Sequence, residues 1–207
     1  MNLTTVNVSD MGVNTYLIST EKTAIIIDPG VMCDEIRGFI QENKGKEFAI
    51  LLTHNHFDHI GGAAEARNLT GGKIYINVSD EKGLYNAEIN LSERFCIPLE
   101  PFKADVTFSH DETLHFADIE VKTMWTPGHS MGSSCFFINN WLFSGDTLFR
   151  LSIGRTDFLY GDAQSMSASL KKLAELKGDW DVYAGHGEAT RLSFEKEFNP
   201  YIKEVMG

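Results

Sequence analysis

Six consecutive residues, His54-Asn55-His56-Phe57-Asp58-His59, carry four side chains able to ligate a metal ion. Neutral imidazole and carboxylate suit zinc, and less selectively iron or manganese. If the backbone stays extended, His54 and His56 point to the same side and can grip one ion. Asp58 and His59 belong to the turn beyond and can reach a second. Packing gives an apolar strand no reason to end in such a cluster, so it reads as a metal site. A hydrolytic pair of ions sits roughly 3.5–4 Å apart and needs about six or seven protein ligands, one of them a bridging carboxylate.

The remaining candidates lie far along the chain. His129 follows Thr126-Pro127-Gly128, and His186 stands between Gly185 and Gly187. Asp146 follows Ser144-Gly145 at the end of an apolar run and is the natural bridge. His110 and His115 each stand alone among acidic residues and read as structural. Asp28 precedes Pro29-Gly30 and reads as turn chemistry rather than as a ligand.

Rigid elements must present these groups. Val6–Val8 and Thr15–Ser19 read as short strands joined by a turn through Asp10, Gly12 and Asn14, and Thr23–Ile27 as a strand stopped by Asp28-Pro29-Gly30. Asp34–Asn43 has helical spacing at Ile36, Phe39 and Ile40. Phe48–Thr53 is apolar throughout and reads as a buried strand that delivers the histidine cluster. Ala63–Leu69 follows as a helix and Lys73–Val78 as a strand, with loop and short helix from Asp80 to Lys103. Val106–Val121 alternates like a hairpin. Ser133–Ile138 and Trp141–Ser144 form another, turned at Asn139-Asn140. Ala163–Leu176 is an amphipathic helix, Asp181–Ala184 a strand, and Phe194–Val205 a helix interrupted or started at Pro200. Strands precede a helix in each half, so the expected fold is an α/β sandwich of two sheets with helices outside, in one domain over residues 1–207.

Composition bounds the function. The 207 residues include 43% hydrophobic and 23% charged positions, ordinary for a globular protein. Eighteen basic against 29 acidic residues give a formal net charge of −11. Such a surface repels phosphate backbones, and no Lys/Arg run offsets it, so nucleic acid is excluded as a partner. Cys33, Cys96 and Cys135 are odd in number and widely spaced, which argues against disulfides and a cysteine-zinc cluster. No apolar run is long enough to span a bilayer, and no leader segment is visible, so the expected setting is the cytoplasm and the expected partner a small molecule.

The motifs T-H-N-H-F-D-H-I-G-G, T-P-G-H-S, F-S-G-D-T-L-F and A-G-H-G occur in the order found in the metallo-β-lactamase superfamily. The resemblance runs from about Val13 to His186 and implies a four-layer αββα sandwich. Within the superfamily the chain resembles short bacterial members of the glyoxalase II group, the hydroxyacylglutathione hydrolases, through Ser152-Ile153-Gly154-Arg155-Thr156-Asp157. The resemblance implies that His54, His56 and His129 hold one metal, that Asp58, His59 and His186 hold the other, and that Asp146 lies between them. It implies a metal-bridging hydroxide attacking a thioester, with Asp58 both ligating and orienting it. Arg155 falls where that group has a basic residue near glutathione, although a salt bridge with Asp157 or another loop carboxylate accounts for it slightly better. Glyoxalase II enzymes carry a C-terminal helical domain that supplies much of the glutathione site, whereas this sequence ends about twenty residues past His186. The competing activities are a mononuclear iron persulfide dioxygenase and a β-lactamase-like hydrolase. A binding protein with a degenerate site is disfavoured, because every expected ligand is present.

Overall fold

In the computed structural model, which describes residues 1–8 and 11–207, apolar runs become two six-stranded sheets packed face to face. The first sheet is built from β1 (Asn2–Val8), β2 (Val13–Ser19), β3 (Thr23–Ile27), β4 (Glu47–Leu51), β5 (Lys73–Asn77) and β6 (Val106–Phe108), in that order. Between its strands run α1 (Asp34–Glu42), a short turn of helix α2 (Phe57–Ile60) and α3 (Ala63–Thr70). The second sheet contains β7 (Thr113–Phe116), β8 (Ile119–Trp125), β9 (Ser134–Ile138) and β10 (Trp141–Gly145). A small hairpin, β11 (Leu148–Phe149) and β12 (Ser152–Ile153), and helix α4 (Ala163–Ala174) follow. Then come β13 (Asp181–Ala184), β14 (Thr190–Arg191), α5 (Leu192–Phe198) and α6 (Pro200–Met206), and the second sheet is ordered β14-β13-β10-β9-β8-β7.

Alternation along the strands separates three apolar layers. Ala24 and Ile26 of β3 face α1 and α3, whereas Ile25 and Ile27 face the other sheet. In β9, Phe136 and Ile138 face inward between the sheets, whereas Cys135 and Phe137 pack with Leu170 and Leu173 of α4. Strands buried on both faces read as unbroken apolar runs, as seen at β3 and β4. The layers are therefore helix, sheet, sheet, helix. No helix among the described residues is long and apolar enough to cross a membrane.

Two segments depart from the expectations. Val106–Val121 is not one hairpin: β6 pairs with β5 in the first sheet, whereas β7 and β8 pair in the second. Alternation marks a half-buried strand but does not select its partner. The terminal segment breaks at Pro200 as expected, into two helices, because Asn199 ends α5 and its side chain caps α6 by accepting from Tyr201 and Ile202 backbone N–H groups. Of the turn expected through Asp10, Gly12 and Asn14, Asp10 lies outside the described residues. Gly12 takes φ +70, and Asn14 already belongs to β2.

Candidate metal centre and its cleft

The polar residues of interest leave the carboxyl ends of strands at one edge of the sandwich. Asp28 follows β3 and His54 follows β4, two parallel neighbours. Asp146 follows β10 and His186 follows β13, the parallel pair of the other sheet. His129 lies in the turn after β8, and Asp58 and His59 lie in α2. The edge is clamped across the sheets. Asn14 Oδ1 accepts from Asn7 Nδ2–H at 3.1 Å; its side-chain amide donates to the carbonyls of Ala184 and Gly187, and its backbone N–H donates to the Gly185 carbonyl. On the other flank the Ser134 N–H donates to the carbonyl of Thr53 at 2.9 Å.

Two candidate ligand triads face the cleft, and a third group, Asp28, His54 and His59, lies behind them. Ligating atoms of His54, His56 and His129 lie within 4.8 Å of one another, as do those of Asp58, His59 and His186. Asp146 stands between them: its Oδ2 is 3.4 Å from His129 Nε2 and 3.5 Å from His186 Nε2, and its Oδ1 is 3.5 Å from His59 Nε2. His56 Nδ1 and His129 Nε2 approach to 2.8 Å, and His59 Nε2 and His186 Nε2 to 3.3 Å. Four imidazoles here are buried, and His54 Nε2, His56 Nε2 and Asp146 Oδ1 are buried without a hydrogen-bond partner. A buried lone pair left unmet costs about 1–3 kcal/mol. A divalent cation satisfies several such lone pairs at once, so the donor set fits a metal pair.

Asp28, which the sequence left as a turn residue, does more than turn the chain. It does take a left-handed φ of 49 before Pro29. Its carboxylate is also buried, accepting from Thr53 N–H at 2.8 Å and from Thr53 Oγ1–H at 2.6 Å. Because the Thr53 hydroxyl gives its proton to Asp28, it accepts from His54 Nδ1–H at 3.0 Å. Asp28 Oδ2 also takes His59 Nδ1–H at 3.0 Å. This network fixes the Nδ1–H of two histidines, one in each triad, and turns each Nε2 toward the centre. His129 is fixed likewise, its Nδ1–H donating to the Arg155 carbonyl at 2.7 Å. Asp28→Asn should weaken metal affinity about 10–100-fold through misoriented imidazoles. Chelator competition on the two proteins measures it, and unchanged affinity would limit Asp28 to the turn.

Electrostatics separates the triads. Burial, reinforced by His59, His56 and His129, pushes His54 well below the ordinary imidazole range, and burial with His129 does the same for His56. Both are therefore neutral at pH 7, the form able to ligate a metal. Burial opposes charge on His59, but Asp146, Asp58 and Asp28 outweigh it and raise its pKa to about 10. Burial opposes the Asp58 carboxylate too, but His59 and His186 hold its pKa below the usual range. In metal-free protein His59 thus keeps its proton at pH 8, and an ion bound through Nε2 must displace it. Metal loading at pH 8 should release protons, and affinity should rise with pH up to about 10. Calorimetry in two buffers of different ionisation enthalpy reads the release; a buffer-independent heat would contradict it.

Above the triads lies a cleft of about 420 Å³. Phe57, Leu91, Phe95, Phe149 and Phe158 wall it, with Arg155 at the side. Arg155 binds Asp157 through two hydrogen bonds of 2.6 Å and stacks 3.9 Å over the Phe158 ring. Its charge is therefore already matched. His110 packs edge-on against Trp125 and His115 pairs with Glu120, both outside the triads. Sequence reasoning missed Thr53, Asn14 and Phe158, whose partners lie up to 173 residues away.

The chain belongs to the metallo-β-lactamase superfamily, a superfamily of metallo-hydrolases whose family model matches residues 8–186. Its fold binds divalent metals. The chain is 33% identical over 208 residues to the hydroxyacylglutathione hydrolase GloC of Haemophilus influenzae, covering 98% of each. It superposes on the crystal structure of the B3 metallo-β-lactamase BLEG-1 with a TM-score of 0.90 at 31% identity, covering 97% of this chain and 99% of that one. It superposes on TTHA1623, solved in a di-iron-bound form, with a TM-score of 0.82 at 30% identity, covering 96% and 99%. Relatives with differing chemistries stand at nearly the same identity, so the choice of substrate must come from the cleft.

Proposed function

We propose that the protein is a two-metal hydrolase of thioesters. His54, His56 and His129 would hold one divalent ion, Asp58, His59 and His186 the other, and Asp146 would lie between them. Zinc suits this donor set best. The observation that carries the reading is a carboxylate within 3.5 Å of imidazoles from both triads, at the floor of an aromatic cleft whose lining arginine is neutralised by Asp157. An electroneutral, apolar acyl group fits that wall.

When bound, such an ion pair lowers the pKa of water and polarises a carbonyl oxygen. The chain supplies the rest. Asp58, kept ionised by His59 and His186, would accept a hydrogen bond from the attacking water and orient it. Asp28 and the Arg155 carbonyl hold the imidazoles in their tautomers. Phe57, Phe95 and Phe158 exclude bulk water and pack the acyl group. The departing thiolate is stable near neutrality, so no strong general acid is required.

Elemental analysis of protein purified without chelator should find about two ions per chain, and a panel of thioesters and β-lactams should show thioester cleavage. One tightly held iron per chain with oxygen consumption would replace this reading with a persulfide dioxygenase. Cleavage of β-lactams alone would replace it with a lactamase.

A further inference from the structure

A second cavity, also about 420 Å³, lies back to back with the metal cleft. Neighbouring residues on three separate segments alternate between the two. His56, His129 and Phe158 line the metal cleft, and Asn55, Ser130 and Leu159 line the second cavity. The wall between them is therefore about one residue thick. It is rigid on one side, because the buried Asp80 carboxylate accepts from Asn55 N–H, Ser130 Oγ–H and Gly132 N–H at 3.0, 2.6 and 2.6 Å. That single carboxylate ties the His54–His56 loop to the His129 loop.

The chemistry of the two cavities differs. The metal cleft is walled by aromatic rings, and its arginine is paired. The second cavity combines aliphatic Val78, Ile89 and Met131 with the Ser79 hydroxyl and Lys82. Lys82 forms no ion pair among the described residues. Its ammonium is thus free to meet an anion that enters from outside.

Resting on the thioesterase reading, we infer that this second cavity holds the thiol arm of the substrate while the metal cleft holds the acyl group. The arm that fits is a chain of amides and branched aliphatic carbon ending in an anion, the chemistry of a phosphopantetheine thiol. The aliphatic carbons meet Val78, Ile89 and Met131, and the terminal phosphate meets Lys82. The arm crosses the ridge at Phe158–Leu159, which the two cavities share. Glutathione, with two carboxylates and no aliphatic branch, matches this lining poorly.

The test uses metal-loaded protein and one acyl group on three thiols: N-acetylcysteamine, glutathione and 4′-phosphopantetheine. The phosphopantetheine thioester should exceed the N-acetylcysteamine thioester in kcat/KM by about tenfold or more, the effect of one charge-assisted contact. Lys82→Glu and the cavity-filling Ser79→Trp should each remove that advantage, with N-acetylcysteamine turnover changed by less than about twofold. No advantage, an advantage indifferent to both substitutions, or a larger one for glutathione overturns the inference while leaving the hydrolase standing. If no thioester is cleaved, the hydrolase reading fails instead, and calorimetry with free 4′-phosphopantetheine decides the cavity. Binding weakened about tenfold or more in Lys82→Glu upholds the site; no binding, or equal binding by both proteins, overturns it.

Discussion

Replacing His56 with alanine should lower kcat/KM by about a thousandfold or more, because losing a ligand removes several kcal/mol of hydroxide activation and carbonyl polarisation. His56 is buried within the triad completed by His54 and His129. With it gone, elemental analysis should find roughly one ion per chain in place of about two. His110→Ala is the matched control, since that ring packs on Trp125 and is no part of either triad. It should keep activity within about twofold and keep both ions. Near-UV circular dichroism on His56→Ala separates a lost ligand from a lost fold. Comparable losses in the two variants would overturn the division of the histidines.

Gly154→Ala should damage the site without replacing a candidate ligand. A β-carbon on Gly154 would sit on top of the Asp146 carbonyl oxygen and within 3.2 Å of His129 Nδ1. The obstacle is backbone, so no flexible side chain can yield. The chain must part between Asp146 and the β11–β12 hairpin, and overpacking of this kind costs typically about 1–3 kcal/mol, occasionally more. Asp146 moves with its backbone, and a shift of about 1 Å in a positioning group costs on the order of a hundredfold in rate. We expect kcat/KM to fall by about that factor and the melting temperature to drop. Gly38→Ala, in α1 with open space around the new methyl, should instead raise stability by about 0.5–1 kcal/mol and leave activity alone. Normal activity in Gly154→Ala would show that the hairpin adjusts freely around Asp146.

The neighbours of these residues show why part of the centre could be read from the chain and part could not. Local residue order marks where the strands end, because the buried runs Thr23–Ile27 and Trp141–Gly145 stop at Asp28 and Asp146, where charged side chains break the apolar run. It also determined which residues gather, since His54, His56, Asp58 and His59 share one short loop. The alternation in β3 and β9 set the faces of the sandwich for the same local reason: side chains on a strand repeat every second residue.

The partners of these residues follow from how the two sheets pack. The run from Val106 to Val121 splits between two sheets, because strand pairing depends on neighbours distant in sequence. Asp28 carries a turn signature, and nothing local reveals that its carboxylate fixes His54 through Thr53 and also binds His59, 31 residues away. The charge of Arg155 was legible, but its neutralisation by Asp157 rests on side-chain geometry. Asn14 resembles any turn residue until the second sheet brings the carbonyls of Ala184 and Gly187 to its amide. Burial patterns are written in short periods along the chain, whereas hydrogen bonds between strand ends exist only once the two sheets have packed.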